Sequence, residues 1–425
     1  MVEWNIVLLA FLVLSLIQSG TQFYLNRLNV SYLRRHGTAV PAPFKEIVDE
    51  EKLRKISAYT SDSTYLDLIS GLTSQAWTLT ILLSGFLPWL VAKVGATGLG
   101  TVGEGLLFFA ILSGLGSLLS LPFGAYETFV IEAKYGFNTK TFRLWVVDLL
   151  KGIAIVGVLG GVLLWLLLTL VVHGGLYWWL WAWMLVGGYE LLMLWLYPVV
   201  IAPWFNTFEP VGNASLKQRI ENLMEKVGLR ARGVFRMDAS RRSRHTNAYF
   251  TGFGRSKRIV LYDTLLASHT EEEILAVLGH EIGHWKKKHV LKQVIVLEIL
   301  SLGIFYVVAQ GLKWPLLYQT FGFERPVVYV GLFLLSALLS PLGYFVQPLE
   351  SAILRAFERE ADDFTLSLME TAEPIQGALK RLAADNLANL TPHPLYAWFY
   401  YSHPPLVERI SRLQNTPARD KSLDR

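Results

Sequence analysis

The sequence predicts an all-α polytopic membrane protein: seven transmembrane helices and an extramembrane domain with a small amount of β-strand. Three observations carry this. Hydrophobic residues make up 52% of the 425 residues and charged residues only 17%, a balance far from that of soluble domains. Seven apolar stretches reach spanning length. The loops between them are by turns rich in lysine and arginine and empty of them. The net charge of +5 comes without a dense basic face, which argues for membrane-flanking loops and against nucleic acid. The chain has no cysteine, so disulfides and thiolate metal sites are excluded.

The first stretch runs from about Asn5 to Gln18 and the second lies within Leu68 to Val94. The third begins near Gly105 and fades around Pro122; the fourth covers Leu144 to Val172. The fifth runs from Leu176 to about Val200, the sixth from Val290 to Gln310, the seventh from Val327 to Val346. A signal peptide would carry its positive charges before the first apolar run, and here they follow it. The loop after span one holds Arg27, Arg34, Arg35, Lys45, Lys52, Arg54 and Lys55, whereas "GATGLGTVGEG" and "HGGL" hold none. The basic loops therefore lie inside. That places residues 203–289 and the segment after Gln347 on the cytosolic side, against a weak counter-signal from Lys313 and Arg325. The chain thus divides into 1–202 (five spans), 203–289 (cytosolic), 290–346 (two spans) and 347–425 (cytosolic). The two cytosolic segments are expected to form one domain. Within it "GVFRMD" (233–238) and "RIVLYDTLL" (258–266) read as strands, the second turning helical. The final "QNTPARDKSLDR" reads as a frayed tail.

The chemistry centres on "EEEILAVLGHEIGHWKKKHV" (271–290). Thr270 with Glu273 three residues on forms a capping box, so a helix starts here. His280 and His284, four apart, share one helix face. Two imidazoles at that spacing can hold one Zn²⁺ with Glu281 beside it as general base, a zincin-like arrangement. Alone, the pattern also fits a solvated face with two unrelated histidines. A third ligand is required, and "LRAFEREADDF" (354–364) is where to look for it. Glu358 and Asp362 share a face there: one carboxylate could bind metal while the other accepts a hydrogen bond from a ligand histidine. Glu360 and Asp363 are rivals on other faces, and a plain charged surface helix is the alternative.

"HEIGHWKKKH", "FEREAD" and "SHPPLVERI", in this order and with seven spans, resemble the CAAX prenyl protease 1 family of integral membrane zinc endopeptidases. "RHTNAYFTGFGRSKRIVLYDTLL" (244–266) is similar too, so the resemblance covers nearly the whole chain. It implies one zinc per chain, held by His280, His284 and Glu358, with Glu281 catalytic and Asp362 as the acid behind a ligand. It implies that His403 stabilises the oxyanion, that Asn247 and Ala248 hold the substrate backbone extended, and that a water-filled chamber lies in the membrane. One departure stands out: where the family has Ser-Arg before the ligand glutamate, this chain has Leu354-Arg355. His393 in "TPHPLY" is a second His-Pro, but only His403 is followed by "LVERI".

Among the other histidines, His289 is placed at the membrane surface, and His245 and His269 show no partner pattern. Glu190 and Glu298 lie within spans, where they either line a chamber or bond between helices. Asp148 and Lys151, three apart, are expected to pair or snorkel. The function expected is a zinc metalloendopeptidase acting on peptide or protein substrates at the bilayer. The resemblance implies prenylated substrates with a C-terminal CAAX sequence. The alternatives are a broader membrane-protein quality-control protease and a transporter or channel with a vestigial metal site. An intact general base and the absence of an internal repeat count against a transporter. "KSLDR" carries no lysine-based retrieval signal, so a bacterial inner membrane is expected rather than the endoplasmic reticulum.

Overall fold

The structure, a computed structural model, describes residues 2–229, 233–252 and 258–415. Seven of its helices are long and apolar enough to cross a membrane: Ile6–His36, Glu50–Leu83, Gly100–Tyr135, Phe142–His173, Gly175–Phe205, His289–Gly311 and Val328–Met369. We call them spans one to seven. The chain is an integral, multi-pass membrane protein.

Several spans reach well past their apolar cores. Span one continues to His36, and span two begins at Glu50, capped by Asp49, whose side chain accepts the Lys52 N–H. The apolar run to Val94 is not one helix. Gly85 adopts φ +79°, open to glycine but strained for other residues, and a separate helix follows at Phe86–Gly95. Span three does not fade at Pro122. It passes the proline and widens into a π-helical segment, Glu127–Glu132.

The motif helix, Glu271–Lys286, is separate from span six. The chain does not run on as one helix: Lys288 takes φ +56° and span six restarts at His289. Span seven shows the reverse. It is one helix of 42 residues that carries Glu358 about 18 Å beyond Val346.

The sheet holds four strands, β1 Phe208–Pro210, β2 Val234–Met237, β3 Ala248–Thr251 and β4 Arg258–Tyr262, in the order β1-β2-β4-β3. β2 and β4 match the two strands expected and pair in parallel. β3 pairs antiparallel with β4 and is an edge strand. The motif helix lies between two apolar clusters. Leu275, Leu278 and Ile282 pack with Ile259 and Leu261 of β4. On the other side Ala276 joins Phe44 and Ile56 of the first loop and span two, Ile131 of span three, Leu366 of span seven, and Ile410. The extramembrane domain therefore draws on four stretches of chain, two of them outside the segments 203–289 and 347–425.

Charges near the spans behave differently from expectation. Asp148 does not pair with Lys151. Arg242 donates to both its oxygens at 2.9 Å, and Lys151 donates to the Trp204 carbonyl at 2.7 Å. Arg242 wins because its fork matches the carboxylate in a bidentate pair. The Glu298 carboxylate lies against Gly187 of span five, where an added Cβ would come within 2.8 Å of it, and so sits in a helix–helix contact. Glu190, three residues on from Gly187, is exposed. A cavity of about 510 Å³ between spans one, two and seven is lined by Ser15, Gln18, Gln75 and Ser340 among others. Polar side chains of this kind are costly against lipid.

Candidate metal centre

The motif helix starts as its sequence dictates. Thr270 N–H donates to Glu273 Oε2 at 2.8 Å, and Glu273 N–H donates back to Thr270 Oγ1 at 3.3 Å. It then packs tightly on the extension of span seven, and glycine permits this. A Cβ on Gly283 would meet the Ala361 backbone at 3.0 Å, and one on Gly279 would meet Thr365 at 3.0 Å. The close approach brings His280, His284 and Glu358 together, with one donor atom from each within 4.8 Å of the others.

These residues fit a metal. His280 Nε2 and His284 Nε2 lie 3.1 Å apart, and each reaches a Glu358 oxygen, at 3.2 and 3.1 Å. The buried Glu358 Oε2 nevertheless has no aligned hydrogen-bond donor. Two imidazole nitrogens and a carboxylate converging in this way match the donor set of a three-residue catalytic metal site. Glu281 stands on the motif helix beside them. Burial pushes its carboxyl above the ordinary carboxylate range, against the pull of His280 and His284. Both Glu281 and His280 line a cavity of about 640 Å³ together with Thr246, Asn247, His403 and Arg409.

Charged groups stand behind these three residues. His280 Nδ1 lies 3.0 Å from Asp362 Oδ1, a close contact rather than an aligned hydrogen bond. Asp362 itself is held by Arg409, whose Nε and Nη2 donate to it at 3.0 and 2.7 Å. The buried Arg409 also comes within 3.5 Å of Glu358. Arg409 lies inside "SHPPLVERI", yet nothing in its local pattern marks it.

His289 is the first residue of span six, packed inside the protein. It is fully buried, stacked on Phe357 at 4.3 Å, with its Nδ1 3.0 Å from His284 Nδ1 and its Nε2 3.1 Å from Glu360 Oε2. Five residues apart on a continuous helix, the two rings would point about 140° apart. The break at Lys288 brings them together. Glu360 accepts from Nε2–H of a neutral His289, whose Nδ1 then accepts from His284. His284 Nε2 is left with its lone pair facing the site. Replacing His289 with phenylalanine keeps the stacking surface and removes this bond. We expect metal affinity to fall about 10–100-fold with the fold intact, measured by chelator competition. Affinity equal to wild type would refute the role.

The other residues sort clearly. His403 Nε2 lies 3.3 Å from Glu358 Oε1, and Ser402 Oγ sits 2.9 Å from its Nδ1. Its ring is open to the cavity but crowded by protein atoms, and that partial burial pushes its pKa down. Arg355 donates to the carbonyls of Trp398 and Tyr401, at 3.1 and 2.7 Å, fixing the turn that precedes His403. His393 instead caps the helix Pro394–Tyr400 through the Leu395 N–H. Asp363 pairs with Arg412 and Glu360 with His289, so neither rival carboxylate joins His280, His284 and Glu358. Asn247 and Ala248 mark the start of β3, and Asn247 reaches the cavity.

Comparison with known proteins agrees with this geometry. The family model described as "CAAX prenyl protease N-terminal, five membrane helices" matches residues 29–207, and "Peptidase family M48" matches residues 210–417. A CAAX prenyl protease 1 homolog of Oryza sativa is 35% identical, over 90% of this chain and 92% of that one. The chain belongs to peptidase family M48. The CAAX prenyl protease 1 of Saccharomyces cerevisiae is 32% identical over 99% of this chain and 97% of that one. The crystal structure of Ste24p from S. mikatae matches with a TM-score of 0.91 at 31% identity, over 97% of this chain and all of that one. This M48 peptidase is an integral membrane metalloendopeptidase, and the transporter and quality-control readings are not favoured. The bacterial inner membrane is not supported either, because the relatives come from plants, yeasts and animals. The "KSLDR" on which that expectation rested lies outside the described residues.

Proposed function

We propose that this M48 peptidase is a zinc-dependent endopeptidase that cleaves prenylated substrates bearing a C-terminal CAAX sequence. The convergence of His280, His284 and Glu358 beside Glu281, at the wall of one cavity, carries the hydrolytic part. The names of the relatives carry the substrate class. The two histidines and Glu358 would hold one zinc, which when bound polarises a carbonyl and lowers the pKa of water. Glu281, on the motif helix, takes the proton of the attacking water and passes it to the departing amine. His403, aimed into the site, donates a hydrogen bond to the oxygen on which charge develops. Asn247 and Ala248 lead into the edge strand β3, where an extended peptide pairs by strand addition. Asp362, gripped by Arg409, orients His280.

The eukaryotic relatives favour the endoplasmic reticulum, and the basic loops favour a site facing the cytosol. The decisive experiment offers the purified protein a farnesylated peptide and its unmodified counterpart, with and without a zinc chelator. Faster cleavage of the farnesylated peptide, abolished by chelation and restored by zinc, is expected. Equal rates would remove prenyl selectivity, and chelator-resistant cleavage would remove the metal.

A further inference from the structure

Thr246 lies at the wall of the active-site cavity, and its backbone is already paired. Asn247 turns its carbonyl toward β4, accepting from Tyr262 N–H at 3.1 Å, and His245 turns its own to Thr264 Oγ1 at 2.8 Å. Backbone groups alternate along an extended chain, so those of Thr246 and Ala248 face away from β4. An added strand would pair on that outward edge. At Thr246 the position is filled. Asn386 Oδ1 accepts the Thr246 N–H at 2.9 Å, and Asn386 Nδ2 donates to the Thr246 carbonyl at 3.1 Å. One primary amide thus makes both hydrogen bonds of a neighbouring strand residue.

Asn386 is itself held in place. His245 Nδ1 lies 3.0 Å from the same Oδ1, which can only accept, so Nδ1 carries the hydrogen. His245 Nε2 meets Glu132 Oε2 at 3.1 Å, and Glu132 Oε1 accepts from the Tyr59 hydroxyl at 2.6 Å. The imidazole stacks on Phe137 with ring centroids 3.9 Å apart. The π-helical end of span three and the start of span two therefore orient the amide through His245.

We propose that Asn386 is a register stop for the substrate strand: it closes the pairing edge at Thr246, so that a peptide added at Ala248 ends its pairing there. This rests on the reading above that β3 receives the substrate. In antiparallel addition, the substrate residue that would face Thr246 lies two places C-terminal to the one facing Ala248. The stop thus acts on the C-terminal side of the bound peptide and favours a short tail. A longer continuation has to leave the sheet at that point. Asn386 and His245 are positioning residues, since neither touches the reacting bond.

The test uses the full-length, metal-loaded protein. Farnesylated peptides share their sequence up to the modified cysteine and end in a short or a long tail. Each is also made with single N-methylated backbone amides. Wild type should prefer the short tail. In Asn386→Ala, kcat/KM for the long-tailed peptide should rise relative to the short one by roughly tenfold, the factor that one further backbone pair carries. N-methylation should then raise KM at a tail position to which wild type is insensitive. His245→Gln should move the ratio in the same direction by less. Metal content should be unchanged throughout, and Asn386→Ser replaces the alanine variant if that does not fold. An unchanged tail preference in these variants overturns the stop. So does new N-methyl sensitivity on the N-terminal side alone. If no N-methylated position raises KM even in wild type, strand addition at β3 is itself refuted.

Discussion

Glu281→Gln should lower peptide cleavage by about 10²–10⁴-fold while leaving the metal in place. Glutamine keeps the size and the hydrogen-bonding oxygen of the side chain but cannot take a proton. Glu281 stands outside the group of His280, His284 and Glu358 that could hold the metal, and Asp362 is occupied with His280 and Arg409. Glu281 lines the cavity that a substrate would enter, within reach of a water held there. The measurement is kcat on a cleavable peptide beside metal analysis of the same preparation. Activity within a few fold of wild type would remove Glu281 from proton transfer. Loss of metal would make it a structural support.

Glu358→Ala should have the second large effect, on metal content. The carboxylate is buried and both of its oxygens face ligand nitrogens, so its loss opens the third coordination position and leaves two imidazoles facing each other. We expect metal affinity to fall by more than the 10–100-fold typical of an outer partner. The neighbouring Glu360→Ala separates this from a general charge effect. Glu360 touches His289 and not the ligand set, so its loss should weaken the metal only modestly. If Glu360→Ala empties the site while Glu358→Ala leaves it filled, the assignment is wrong.

What was legible in the sequence follows the range of the interaction. His280, Glu281 and His284 sit within one and a half turns, where helix periodicity alone sets the geometry. Glu358 and Asp362 share a helix face, and their joint placement needed only the 3.6-residue repeat. The seven spans were legible for the same reason, since apolar length is a local property. Their ends were not: Asp49 and the stretch after Val346 are polar, and they stay helical through caps and tertiary packing. His289 was hidden because its contact depends on a left-handed residue at Lys288, and no glycine announces the break. Arg409 and Asn386 were hidden because their partners lie 47 and 140 residues away. β1 and β3 are three and four residues long, too short for alternation to declare itself.

The scattered origin of the site has a consequence for synthesis. The histidines of the motif helix leave the ribosome long before Glu358, and Glu358 before His403 and Arg409. The core that supports the motif helix needs Phe44 and Ile131 from earlier loops as well as Ile410 from a late helix. No portion of the nascent chain short of residue 409 can bring together His280, His284, Glu358, His403 and the arginine that grips Asp362. The site is thus complete only when a stretch that follows the last span has been made, so its assembly comes after the chain of every span has been synthesised.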